Sequence, residues 1–139
     1  MKTLTLVLAP ILAGLVLANS PAGGSDSTDA NVSPALLKAR LDAARKTYEW
    51  LAKNYIESRP PLGELLYRWS CRWLDAEREM SGRQEDRIAA YRAHLRRMRD
   101  LERVARDRFR NRFVPVEEDT AAQFYRAEAE IWLERAKHR

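Results

Sequence analysis

Tyr55-Ile56-Glu57-Ser58-Arg59-Pro60-Pro61-Leu62-Gly63-Glu64 and Phe109-Arg110-Asn111-Arg112-Phe113-Val114-Pro115-Val116-Glu117-Glu118 punctuate the chain in the same way. In each an aromatic residue closes a helical pattern, a proline follows six residues later, an apolar residue comes next, and a glutamate stands three after the proline. A residue before proline is pushed out of the α region, so both stretches end one helix and open another. A shift of 54 positions carries Pro61 onto Pro115 and Glu64 onto Glu118, and also Ala35 onto Ala89, Leu41 onto Leu95 and Arg45 onto Arg99. The chain therefore reads as one helical hairpin written twice, over about 33–82 and 84–139.

Between these stops the apolar residues step at helical spacing. Ser33-Pro34 is a helix start, with a hydroxyl able to accept an orphan amide and a proline where its missing N–H costs nothing. Leu37, Leu41, Ala44, Tyr48, Leu51 and Tyr55 then form one stripe. Pro61 opens a second helix along Leu62, Leu65 or Leu66, Trp69, Trp73, Ala76 and Met80, with Tyr67, Cys71 and Leu74 on another face. Ser81-Gly82 is its expected break, the glycine being free to turn left-handed.

A third helix is expected from about Gln84 to Arg112, along Ile88, Tyr91, Leu95, Met98, Leu101, Ala105 and Phe109. The fourth opens with Glu117, Glu118 and Asp119 at the positive end of its dipole and carries Ala121, Phe124 or Tyr125, Ile131 or Trp132, and Ala136. No stretch alternates with period two between turn signals. The fold class is all-α, either an antiparallel four-helix bundle or two tandem helical hairpins; four seams with several aromatics to cover favour the bundle.

The start of the chain reads differently. Lys2 precedes an apolar run from Leu4 to Ala18, shorter than the roughly 20 residues that span a bilayer and interrupted by Pro10. Residues 1–18 are read as a signal peptide cleaved near Ala18, with an uncleaved N-terminal membrane anchor as the alternative. Residues 19–32 are Ser, Gly, Asp, Asn, Pro, Thr and Ala with almost nothing to bury, and are expected to be a flexible leader. The destination is the periplasm or the exterior. What remains is large enough for one domain.

The two hairpin turns resemble those of the outer-membrane efflux protein family (TolC-type). The likeness lies in Arg108-Phe109-Arg110, Val114-Pro115-Val116-Glu117-Glu118-Asp119 and the returning Arg126-Ala127-Glu128-Ala129-Glu130, with Tyr55 to Glu77 as a second copy. The family's turn glycine is absent, and the helices are too short for a channel that crosses a periplasm. The chain is also similar to short exported helical proteins of bacteria that carry no assigned activity. That resemblance implies an envelope location and no reaction. The Leu-Thr-x-x-Gln signature of small stress-response periplasmic chaperones is missing.

Charge is segregated. Residues 83–112 hold eleven arginines against five acids, in a chain with 25 Lys and Arg against 20 Asp and Glu. Arg92, Arg96, Arg99, Arg103, Arg106 and Arg110 form a stripe one residue behind the apolar seam, about 100° around the helix. Such a stripe is either a solvated face, paired through Arg96–Asp100, Glu102–Arg106 and Arg103–Asp107, or a surface for an acidic partner, anionic lipid or polyanion. Export removes most nucleic-acid partners.

Cys71 is the only cysteine, read first as a small buried hydrophobe, then as an intermolecular disulfide, and last as a nucleophile, because neither His94 nor His138 stands near it in sequence. Neither histidine has a glutamate three residues before it, and no phosphate loop, triad order or cofactor motif appears. No cofactor or metal is expected, and no catalytic residue is assigned. The reading is a non-enzymatic exported helical module working by protein–protein contact, with an envelope protein or with itself. Trp50 and Trp132 are its candidate interface aromatics, because Trp and Arg dominate interface energy. The alternative is a peripheral binder of anionic membrane or polymer through the arginine stripe.

Overall fold

The structure, a computed structural model, describes residues 32–55 and 61–138. The expected signal peptide, the leader apart from Val32, and the Arg59-Pro60 stop lie outside these residues. Four helices follow one another: α1 (Pro34–Tyr55), α2 (Gly63–Met80), α3 (Gln84–Arg110) and α4 (Val116–Lys137). The described residues contain no strand, and none of their helices is long and apolar enough to cross a membrane.

α1 packs on α2 and α3 on α4 as two hairpins, and α2 joins them by touching α3 and, more lightly, α4. Both arrangements foreseen from sequence contain these hairpins. Among the described residues the fourth side of a closed ring is missing, since no Cα of α1 comes within 8 Å of one in α4. α2 is thus the central helix, which explains why its sequence carries two apolar lines. The core gathers Leu51, Tyr55, Leu66, Leu95, Met98, Leu101, Ala105, Ala122, Ala129 and Leu133.

The expected seams hold, with informative exceptions. On α4 the structure turns Tyr125 and Trp132 inward and leaves Phe124 and Ile131 exposed. On α3, Phe109 is 39% exposed while its neighbour Arg108 is buried. Arg108 lies over the Tyr55 ring, 4.5 Å from its centroid, and Nη1 donates to the Tyr55 carbonyl oxygen left orphaned at the end of α1.

Helix ends differ from the sequence reading for definable reasons. α2 stops on an extended Ser81, whose Oγ donates to the Glu77 carbonyl at 2.6 Å, and Gly82 does not enter the left-handed region. α3 ends at Arg110, two residues early, because Arg112 takes φ 60°. There Phe113 N–H donates to the Arg108 carbonyl and Arg112 N–H to that of Phe109, both at 2.9 Å, which is the paired bonding of a Schellman stop. An arginine fills the position that glycine usually takes.

α2 begins at Gly63 rather than Pro61, and its first amide is capped from the other hairpin. Glu118 Oε1 accepts from Gly63 N–H at 3.0 Å and from the buried Tyr55 hydroxyl at 2.8 Å. A β-carbon on residue 63 would sit 2.8 Å from that oxygen, so glycine permits the approach. Glu64, at the position equivalent to Glu118 in the first hairpin, pairs among the described residues with Arg68 in solvent.

Replacing Arg112 with glycine should raise stability by about 0.5–1 kcal/mol, because the left-handed residue loses its β-carbon penalty, and thermal melts check this. Glu118→Ala should cost about 2 kcal/mol by leaving the Tyr55 hydroxyl without its acceptor. Glu118→Gln, which keeps an acceptor oxygen, should cost less than half of that in the same urea titration.

Candidate functional site

Polar residues inside the bundle form one layer that reaches all four helices. α1 contributes Tyr48; α2 contributes Ser70, Trp73 and Glu77; α3 contributes His94 and Arg97; α4 contributes Trp132. They meet because α3 is buried on two sides. Beside its apolar seam runs a second line, Ala90, His94, Arg97, Leu101 and Arg108, that faces inward as well.

Arg97 stands at the centre. Its guanidinium lies 4.0 Å from the centroid of the Trp73 ring and 5.7 Å from that of Tyr48, and the two rings meet edge-to-face at 5.7 Å. Nε donates to Ser70 Oγ at 2.7 Å and Nη2 to the Ser70 carbonyl at 3.5 Å. Trp73 in turn donates from its indole N–H to Glu77 Oε1 at 2.9 Å. Glu77 makes no ion pair with Arg97, and its carboxylate acts on the buried cation through space.

Ser70 Oγ is also 2.8 Å from His94 Nδ1. Oγ accepts from Arg97 and keeps both a proton and a second lone pair, so it can bond Nδ1 in either tautomer of the ring. Nε2 is buried and has no hydrogen-bond partner among the described residues. The ring stacks on Trp132 instead, 5.5 Å between centroids and 17° from parallel. Burial first, and then the Arg97 charge, lower the His94 pKa to about 4. Burial likewise raises Glu77 and lowers Arg97 from their ordinary values.

Ser70 and His94 make a hydroxyl–imidazole pair, yet both are fully buried, so no substrate carbonyl reaches them. Cys71 is half-buried beside Tyr67, and burial pushes its thiol up to about 11, away from thiolate chemistry. Tyr67 stacks on Tyr125 at 4.0 Å and donates its hydroxyl to Glu128. Among the described residues no three His, Cys, Asp or Glu side chains gather as a metal site would require.

The arginine stripe faces outward, with Arg106 half-buried and the other five exposed. Arg99 reaches Glu130 on α4 at 3.0 Å, Arg103 pairs with Asp100 at 3.4 Å, and Arg106 pairs with Glu102 at 2.7 Å. Arg92, Arg96 and Arg110 form no ion pair with any described residue. Trp50 is 64% exposed on the outer face of α1, whereas Trp132 is half-buried against His94. Arg97, His94 and Ser70, which join the helices, were not singled out from the sequence. For His94 and Arg97 the signal that could have found them is their spacing of three on α3 and their place on the inward arc of a helix buried twice; Ser70, on α2, carries no such signal.

No protein-family model, no curated protein and no solved structure matches this chain.

The pKa of His94 yields a signed prediction. The folded value is depressed below the unfolded value near 6.5, so the unfolded chain binds more protons between about pH 6.5 and about 4. The stability held by neutral His94 is complete above pH 6.5 and falls as the pH drops through that window. Glu77, raised in the fold, works the other way and softens the loss. His94→Asn, which keeps a hydrogen-bonding group for Ser70 but does not titrate, should lose about 2 kcal/mol less than the parent between pH 7 and pH 4 in urea melts.

Proposed function

We propose that this chain is an exported helical contact module of the cell envelope, which binds a protein partner or a second copy of itself and carries out no reaction. The observation that supports this most is Trp50. A tryptophan left largely in water forfeits much of the hydrophobic gain its ring could contribute, and such residues are the usual anchors of interfaces. Leu36, Ala43 and Trp50 recur every seven residues on the exposed face of α1, the spacing by which one helix meets another. Val116, Phe124 and Ile131 form a comparable exposed arc on α4.

A second reading, attachment to anionic membrane or polymer through the stripe from Arg92 to Arg110, draws on the three arginines that lack carboxylates. The stripe's other three already pair within the bundle, which leaves half its charge for an outside anion. Arginine forks suit carboxylates and phosphates alike, so salt dependence alone does not separate a protein from a lipid.

A photo-cross-linking residue at position 50 should capture a discrete adduct in the envelope fraction, and one at position 92 should not. Trp50→Ala should leave the melting free energy within about 0.5 kcal/mol of the parent and weaken the captured complex at least about tenfold. Adducts only from position 92, or retention on anionic vesicles that Trp50→Ala leaves intact, would favour the arginine face instead.

A further inference from the structure

The cleft where the end of α2, the start of α3 and the end of α4 converge belongs to neither surface above. It measures about 270 Å³ and is lined by Arg78, Gln84, Arg87, Tyr91, Trp132 and Arg135. An adjoining depression of about 280 Å³ shares Arg78, Tyr91 and Trp132 and continues toward Leu74 and Asp75. Three guanidiniums therefore border a hollow whose walls are two aromatic rings. Asp75, 3.3 Å from Arg78, is the one carboxylate on either lining.

Two of the three cations have a local reason to be there. Arg78 and Arg135 stand in the last turns of α2 and α4, where positive charge meets the negative end of the dipole. Arg87 does not. It stands in the opening turns of α3, near the positive end, and makes no ion pair with a described residue. It is nevertheless held in place: Nε and Nη2 both donate to Gln84 Oε1, at 3.2 and 2.7 Å, while Gln84 Nε2 donates to the Ala136 carbonyl at 2.7 Å. The molecule thus fixes a third arginine against its own helix dipole, opposite an exposed Arg135 without a carboxylate of its own.

The geometry points to a binding site for a small organic anion, a carboxylate carried on a flat aromatic body. Arg87 and Arg135 would take the carboxylate oxygens, because a guanidinium presents paired donors at the spacing of a carboxylate. Tyr91 and Trp132 would take the ring, with Arg78, whose guanidinium lies 5.2 Å from the Tyr91 centroid, closing one side. Trp132 is already fixed from beneath by His94, so its outer face is a rigid platform.

Calorimetric titration of the full chain with 2-naphthoate tests this, with 2-naphthol and inorganic phosphate as the uncharged and non-aromatic counterparts. Naphthoate should bind with a Kd of roughly 0.1–1 mM, and each counterpart at least about tenfold more weakly. Arg87→Gln with Arg135→Gln should abolish measurable binding. Arg135→Gln alone, at an exposed position that cannot unfold the bundle, should weaken it about tenfold. Arg92→Gln with Arg96→Gln, outside the cleft, should leave it unchanged. No heat with naphthoate, equal binding of naphthol or phosphate, or an equal loss in the Arg92 and Arg96 variant would each overturn the assignment. None of these outcomes depends on whether Trp50 anchors a protein partner.

Discussion

A guanidinium taken out of water, that of Arg97, sets the terms for the rest of this molecule. Removing such a charge from solvent costs several kcal/mol unless its donors are satisfied and its field is answered. Two neighbouring helices supply what is needed. α2 offers Ser70 Oγ and its carbonyl, together with the face of Trp73, and α1 adds the Tyr48 ring. Because these partners are directional, they fix which turn of α3 lies against which turn of α2. Apolar side chains alone, which pack at many registers, would leave that choice open. His94 extends the constraint to α4 through its stack on Trp132, so the register of both hairpins is tied to one layer.

A second tie stands at the end where both hairpins turn. Glu118 caps α2 from α4, and Arg108 caps α1 from α3, each reaching to the opposite hairpin. The two caps converge on Tyr55, whose carbonyl takes Arg108 and whose hydroxyl takes Glu118. Two helix ends that would otherwise leave orphan groups are thereby closed by residues distant in sequence. Such contacts close longer loops than those within one hairpin and carry the larger closure entropy.

The helices were legible because the apolar residues repeat at helical spacing and the prolines at 61 and 115 interrupt them. Which charged residues go inside was not. Arg96 and Arg97 are adjacent and chemically identical, yet one is exposed and the other is 8% exposed at the centre of the fold. A reading by polarity assigns both to solvent. It also assigns Phe109 to the seam, where Arg108 lies instead. The information that decides between them is the angle at which α2 crosses behind α3, a tertiary quantity that no single helix encodes. The same limit hid the cleft, whose lining comes from three separate helix ends. Trp50 and Trp132 are equal candidates as interface aromatics from the sequence, yet Trp50 is exposed and Trp132 is half-buried against His94, because only the α4 residue lies on a face that another helix covers.

The interior also explains why so many large side chains remain at the surface. Among the described residues, seven of the sixteen buried hydrophobic side chains are alanines, including Ala105 on α3 and Ala122 and Ala129 on α4. Small residues at the seam let helix backbones approach closely, and in doing so leave little volume for rings between them. Tyr48, Tyr67, Trp69, Tyr91, Tyr125 and Trp132 are therefore packed around the edge of the seam, partly buried rather than enclosed. A rim of rings interleaved with arginines is the surface composition that protein interfaces favour, and it follows here from the narrowness of the seam. The contact role proposed for this chain and the aromatic walls of its cleft thus have a common physical origin, a narrow seam that encloses Tyr55 and, among the described residues, leaves the other rings at its edge.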